Sequence, residues 1–210
     1  MGDQDEIGVF STARELVRAE AAALVALEAQ LDERLVKAAQ LILECHGKVL
    51  PVGVGTSGHV ARRMAHLLSV TGTPAIFLHP ADGLHGSLGA IQPDDVVIAI
   101  SRGGQSSEIN EFTRRAKKLG AAIVVLTADP DSELGELGDV TVALSTPSGA
   151  DPRGIIAMGS TLVTSAWGDA LAITLMEMRG YGWDAVLYSH PGGAVGKLAS
   201  ALELRVESEV

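Results

Sequence analysis

From Val9 to about Cys45, apolar Leu16, Ala19, Ala23, Leu24 and Leu27 recur at helical spacing among Glu15, Arg18, Glu20 and Glu28. The pattern predicts two helices meeting near Asp32. After Gly47 the period changes, because Lys48–Val54 is a short β-favouring run that stops at glycines. A helix is expected from Ser57 to about Val70, then the apolar run Ala75–Leu78, a loop from His79 to Pro93, and the run Val96–Ile100. A further helix from Ser106 to Leu119 separates these from Ala121–Leu126, a short helical turn and Val140–Leu144. Near-continuous apolar runs alternating with helical patterns are what a parallel sheet covered on both faces requires. The predicted class is therefore α/β, a doubly wound, flavodoxin-like, five-stranded parallel sheet flanked by helices. The chain then continues as a long apolar helix, Ile155–Met178, which Gly159, Ser160, Thr161, Thr164, Ser165, Asp169 and Glu177 interrupt too often for a membrane span. Such a helix belongs in a core or a subunit interface.

Length and composition narrow the picture further. At 210 residues the chain is expected to form one domain, 1–210, with N-terminal helices over 1–45, sheet and crossovers over 46–180 and a C-terminal segment over 181–210. Aromatic residues make up only 3% and the formal net charge is -10. Base-stacking surfaces are scarce and anionic polymers are repelled, so neither nucleic acid nor a membrane is an expected partner. The lone cysteine, Cys45, excludes an intrachain disulfide or a cysteine zinc cluster. The acidic start, Met-Gly-Asp-Gln-Asp-Glu, does not read as a signal peptide, and a soluble cytoplasmic protein is expected.

Two segments carry candidate chemistry. Gly53-Val54-Gly55-Thr56-Ser57-Gly58 follows the first strand and opens a helix, where unpaired N–H groups and the positive dipole end favour an anion. A dinucleotide site would want an acidic residue at the end of the second strand, where His79-Pro80 stands instead. Ser101-Arg102-Gly103-Gly104-Gln105-Ser106-Ser107-Glu108 repeats the arrangement after the third predicted strand. Either loop alone could be a tight turn with a capping serine. Two on one sheet edge point to a single small anionic ligand.

These residues resemble a sugar isomerase (SIS) domain and, within that group, the arabinose-5-phosphate isomerases. The resemblance rests on Gly55-Thr56-Ser57-Gly58-His59, Thr71-Gly72-Thr73-Pro74, His79-Pro80 with His85-Gly86-Ser87-Leu88-Gly89, Asp94–Ser101, Ser106-Ser107-Glu108-Ile109, Gly168-Asp169-Ala170-Leu171 and Ser189-His190-Pro191-Gly192-Gly193-Ala194. It implies a phosphosugar aldose–ketose isomerase that works through an enediol without cofactor or metal, in a homo-oligomer, most simply a tetramer. It also implies phosphate binding at Gly55, Thr56, Ser57, Ser101, Arg102, Gly104, Gln105 and Ser106. The members with regulatory modules continue further, and this chain resembles the stand-alone catalytic form.

Three positions depart from the family pattern. Thr56 stands where these isomerases usually carry Lys, Gln105 where they carry Glu, and Gly149 where another Glu is expected. Glutamine cannot accept the proton that must travel between C1 and C2. His190, His85 and Asp151 are the candidate catalytic groups, with Glu108 and His59 less suited; histidine titrates near neutrality and fits ring opening or proton shuttling. Arg102 and Arg153 are additions whose guanidinium groups could hold a second anionic group, although Arg153 could equally pair with Asp151 at the surface. The alternative reading is a sugar-phosphate-binding module that has lost catalysis.

Overall fold

The computed structural model describes residues 3–197, so the expected C-terminal segment lies partly outside the described residues. Two helices open the chain, α1 (Asp3–Leu27) and α2 (Glu33–Leu43), and they meet at Asp32 as expected. Asp32 starts α2 by accepting a hydrogen bond from Arg34 N at 2.9 Å. The alternating unit follows: β1 (Val49–Gly53), α3 (Gly55–Val70), α4 (Pro80–Leu84), β2 (Val96–Ile100), α5 (Ser107–Lys118), β3 (Ala122–Thr127) and β4 (Val140–Ala143). The described chain closes with α6 (Gly159–Arg179) and the short α7 (Trp183–Tyr188).

The sheet is parallel, in the order β1-β2-β3-β4. It has four strands, which corrects the expected five. The run Ala75–Leu78 makes a single bridge, Ala75 to Val49, with two ladder bonds: Val49 N to Pro74 O at 2.8 Å and Ile76 N to Val49 O at 3.0 Å. It then leaves the sheet for two reasons. His79 Nδ1 caps α4 by accepting from Ala81 N at 3.2 Å, which turns the chain, and the Arg62 guanidinium lies 4.4 Å from the centre of the Phe77 ring, holding it to α3. With this vestigial strand counted beside β1, the order is flavodoxin-like, and the strand order reverses between β1 and β2.

Alternation within buried strands sends side chains to two cores. Val49, Ile98, Ile100, Val124 and Leu126 face α2, α3 and α6 and pack on Ile42, Met64, Leu68, Trp167, Leu171 and Leu175. Leu50, Val52, Val97, Ala99, Ile123 and Val125 face α5 through Ile109, Phe112 and Ala116. Each fully buried Leu or Ile contributes about 1.5–3 kcal/mol, so the sheet needs no aromatic core beyond Phe112 and Trp167. Among the described residues no helix is long and apolar enough to cross a membrane.

Candidate functional site

The crevice at the C-terminal ends of β1 and β2 is where an open α/β sheet places its ligand, and both glycine-serine loops open onto it. In the first loop β1 runs directly into α3. A Cβ on Gly53 would lie 2.7 Å from Ser57 backbone atoms, and one on Gly58 would lie 2.8 Å from Gly53 O, so only glycines let the strand end sit against the first helical turn. The first amides of α3 are thereby held at the crevice, with Thr56 exposed and Ser57 half-buried. In the second loop Ser101 is buried, and Arg102, Gln105 and Ser106 are exposed ahead of α5, whose N-cap is Ser106.

A narrow cavity of about 30 Å³ lies between these loops. Ser57, Arg102, Thr127, Ser160, Thr161 and Thr164 supply its polar lining, over an apolar floor that includes Val60, Ile100 and Leu126. The three hydroxyls of α6 are an unforeseen part of the site. In the sequence they show only as polar interruptions of an apolar helix, and the spacing 160, 161, 164 places them on one face. The N-terminus of α6 therefore joins that of α3 and the Arg102 loop at the cavity.

Asp151 organises this corner. Its Oδ1 accepts from Met158 N at 2.8 Å and Ser160 N at 3.0 Å, which fixes the start of α6 four residues later than the apolar pattern suggests. Its Oδ2 lies 3.2 Å from Arg102 Nη2, and Arg102 Nη1 donates to Gly154 O at 2.9 Å. Burial would raise the carboxyl, but the hydrogen bonds from Ser160 and Met158 and the charge of Arg102 outweigh it and hold Asp151 below the usual range. Arg102, not Arg153, is thus the partner of Asp151. Arg153 sits in the left-handed region at φ 55° beside Gly149, on the rim of a separate groove of about 1010 Å³ against α1.

The two candidate histidines stand outside the cavity. His85 is exposed in a polar recess with Arg62, His79 and Asp82. His190 follows α7, half-buried, its Nδ1 2.8 Å from Val186 O and 3.2 Å from Ser189 Oγ. From Thr164 at the cavity α6 runs about 22 Å to Arg179. Its far end is pinned by Arg179 Nη2 donating to Ile42 O at 3.0 Å and by the Tyr181 ring over Gly72. The stretch from Gly180 to His190, mostly helical, returns at most about 20 Å. Among the described residues no three His, Cys, Asp or Glu side chains gather as metal ligands would.

Comparison with known proteins places this architecture. The chain is 38% identical to the arabinose 5-phosphate isomerase KdsD of Pseudomonas aeruginosa over 207 residues, which is 99% of this chain and 63% of that protein. It is 38% identical to the Escherichia coli K12 enzyme of the same name over 184 residues, 88% of this chain and 56% of that protein. The chain therefore spans less than two thirds of these relatives. Among solved structures, that of Escherichia coli CFT073 c3406 in complex with arabinose 5-phosphate superposes with a TM-score of 0.83 at 31% identity, covering 91% of this chain and 100% of that one. A family model described as the SIS domain matches residues 41–174, the stretch that holds the sheet, both glycine-serine loops and most of α6, and the chain belongs to that family.

Proposed function

We propose that this chain is a phosphosugar aldose–ketose isomerase acting through an enediol, without cofactor or metal. The observation that carries this reading is the convergence of the α3 and α6 N-termini, each with hydroxyl side chains, and of Arg102 from the second loop on one cavity at the C-terminal edge of the sheet. The phosphate would sit on the amides of the first loop, Gly55, Thr56 and Ser57, and of the second, Ser101 to Ser106, including Gly104 and Gln105. The relatives named as arabinose 5-phosphate isomerases and the arabinose 5-phosphate complex support a pentose phosphate as the first ligand to try.

The proton carrier is the harder part. Asp151 is set aside as the proton carrier on this reading, because Oδ1 accepts two backbone bonds, Oδ2 is ion-paired with Arg102, and a carboxyl held below its ordinary range is a weak base. His190 remains the preferred group, with His85 second, and since neither lines the cavity of its own chain, His190 is placed on this reading at the crevice of a neighbouring copy. Exposed apolar surface supports such an assembly: Val9, Phe10, Val17 and Val25 on α1, Trp183 and Tyr188 on α7, the last 90% exposed. A homo-oligomer, most simply a tetramer in the cytoplasm, would cover these faces.

One observation favours the alternative of a phosphosugar-binding module: among the described residues, the side-chain polar groups lining the cavity are hydroxyls and Arg102, with no carboxylate or imidazole. The deciding experiment incubates the protein in heavy water with arabinose 5-phosphate and other pentose and hexose phosphates. Deuterium uptake at C1 or C2 supports the isomerase; tight binding without exchange favours the module.

A further inference from the structure

The second loop owes its shape to a residue that never reaches the cavity. Thr127 Oγ1 and Ala128 N donate to Arg102 O at 3.1 and 2.9 Å, and Asn110 Nδ2 and Leu134 N donate to Gly104 O at 3.1 and 3.2 Å. Both carbonyls are thus drawn toward β3 and the connection that follows it. In a trans peptide the C=O and the next N–H point in opposite directions. The amides of Gly103 and Gln105 are therefore turned away from β3, toward the first loop and the crevice. Among the described residues these two amides donate to no backbone group. Gly104, at φ 62°, makes the fold of the loop possible, and a Cβ there would collide with Ser132 Oγ.

Asn110 stands out among these props. It is a buried amide on α5, 1% exposed, one turn beyond Ser106, and it bridges the loop to Glu133, to which Nδ2 donates at 3.0 Å. Glu133 is itself paired with Arg114, which also pairs with Glu111. An amide inside a hydrophobic layer costs free energy unless its bonds matter to the state they stabilise, and its Oδ1 has no hydrogen-bond partner. Building on the phosphosugar reading, we propose that Asn110 is a positioning residue: by holding Gly104 O away from the crevice it presents the Gln105 amide, beside the Gly103 amide that Thr127 and Ala128 orient, to the phosphate group, and so sets affinity for the phosphorylated end of the ligand without touching it.

The test uses sulfate, whose charge does not change between pH 5 and 8, alongside arabinose 5-phosphate. Asn110→Asp keeps the shape but, once ionised, cannot donate to Gly104 O and opposes Glu133; Asn110→Ser removes the reach. Both variants should bind sulfate and arabinose 5-phosphate about tenfold more weakly at pH 8, since amide bonds to a charged group are misdirected. For Asn110→Asp the deficit against the native protein should shrink toward pH 5, as the introduced carboxyl takes up a proton and can donate again; for Asn110→Ser it should not. Where turnover is measurable, KM should rise more than kcat falls. Variants that melt like the native protein and bind sulfate equally well at pH 8 overturn the proposal. If neither variant folds, amide NMR of the native protein decides: sulfate must shift Gly103 and Gln105, and unmoved amides sink the idea. If the native protein binds neither sulfate nor arabinose 5-phosphate, the phosphosugar reading fails first and this inference falls with it.

Discussion

Replacing Asp151 separates a helix cap from a catalytic base, because Asn keeps the one role and loses the other. Asp151 Oδ1 receives two backbone N–H groups at the start of α6, at 2.8 and 3.0 Å. Bonds of this kind to a charged acceptor contribute about 1.5 kcal/mol each. The Arg102 pair, with an arginine side chain 44% exposed, adds about 0.5 kcal/mol. Asp151→Ala should then destabilise by about 3.5 kcal/mol, lowering Tm by roughly 7–14 °C for a chain of this size. Asp151→Asn still offers Oδ1 to Met158 N and Ser160 N, so it should cost only about 1 kcal/mol, and turnover should stay within a few-fold of the native protein. The sign with pH follows from the lowered carboxyl. A group held below its ordinary value near 3.8 contributes its stability fully above that value and loses it as pH falls through the folded value. The native-minus-Ala difference from urea denaturation should therefore be flat from pH 8 to 5 and narrow below about pH 4 by the charge-dependent part alone, about the 1 kcal/mol that Asp151→Asn loses. Loss of turnover by about 10²-fold in a normally stable Asp151→Asn would instead identify Asp151 as the proton acceptor and refute the reasoning.

Other consequences are as direct. Ser101→Ala combined with Ser106→Ala should weaken arabinose 5-phosphate binding by about 2 kcal/mol in calorimetry, and equal binding of unphosphorylated arabinose by the native protein would contradict the phosphate assignment. His190→Ala should cut turnover by about 10²-fold; mixing it with Ser101→Ala/Ser106→Ala subunits should restore part of the activity if the histidine serves a neighbouring copy, and no recovery would argue against that. Restoring a carboxylate by Gln105→Glu should raise isomerase activity on arabinose 5-phosphate, measured as ketose formed. Asp95→Ala, which removes a buried carboxylate bonded to Lys48 N, Gln92 N and Lys48 Nζ, should cost about 3 kcal/mol, whereas Asp169→Asn, at an exposed pair with Arg63, should cost under about 1 kcal/mol; a reversed order in urea melts would be inconsistent with burial setting the scale.

Local pattern carries most of the architecture. Strands buried on both faces announce themselves as unbroken apolar runs, and Asp32 marks a helix start by its own chemistry. What local pattern does not carry is competition between neighbours. Ala75–Leu78 has the composition of a strand, yet the His79 cap on α4 and the Arg62–Phe77 stack draw it off the sheet after one bridge. Pairing is of the same kind. From sequence, Arg153 is as good a partner for Asp151 as any, being two residues away; in the fold, the arginine from 49 positions earlier reaches it across the crevice.

The candidate site divides along the same line. Glycine-serine loops are legible because on the proposed reading the backbone itself would bind, and a backbone site needs only the right turn at the right strand end. The groups that would move a proton are side chains brought from elsewhere, and their distances depend on helix lengths and on assembly. α6 illustrates this: its hydroxyls at 160, 161 and 164 line the cavity because Asp151 starts the helix at that point, while His190, which follows the far end of the same helix and α7, is not among the residues that line it. If His190 serves the crevice of a neighbouring copy, binding is a property of the single chain and catalysis a property of the assembly, so dilution to monomers should abolish turnover while leaving the hydroxyl-lined loops able to hold phosphate.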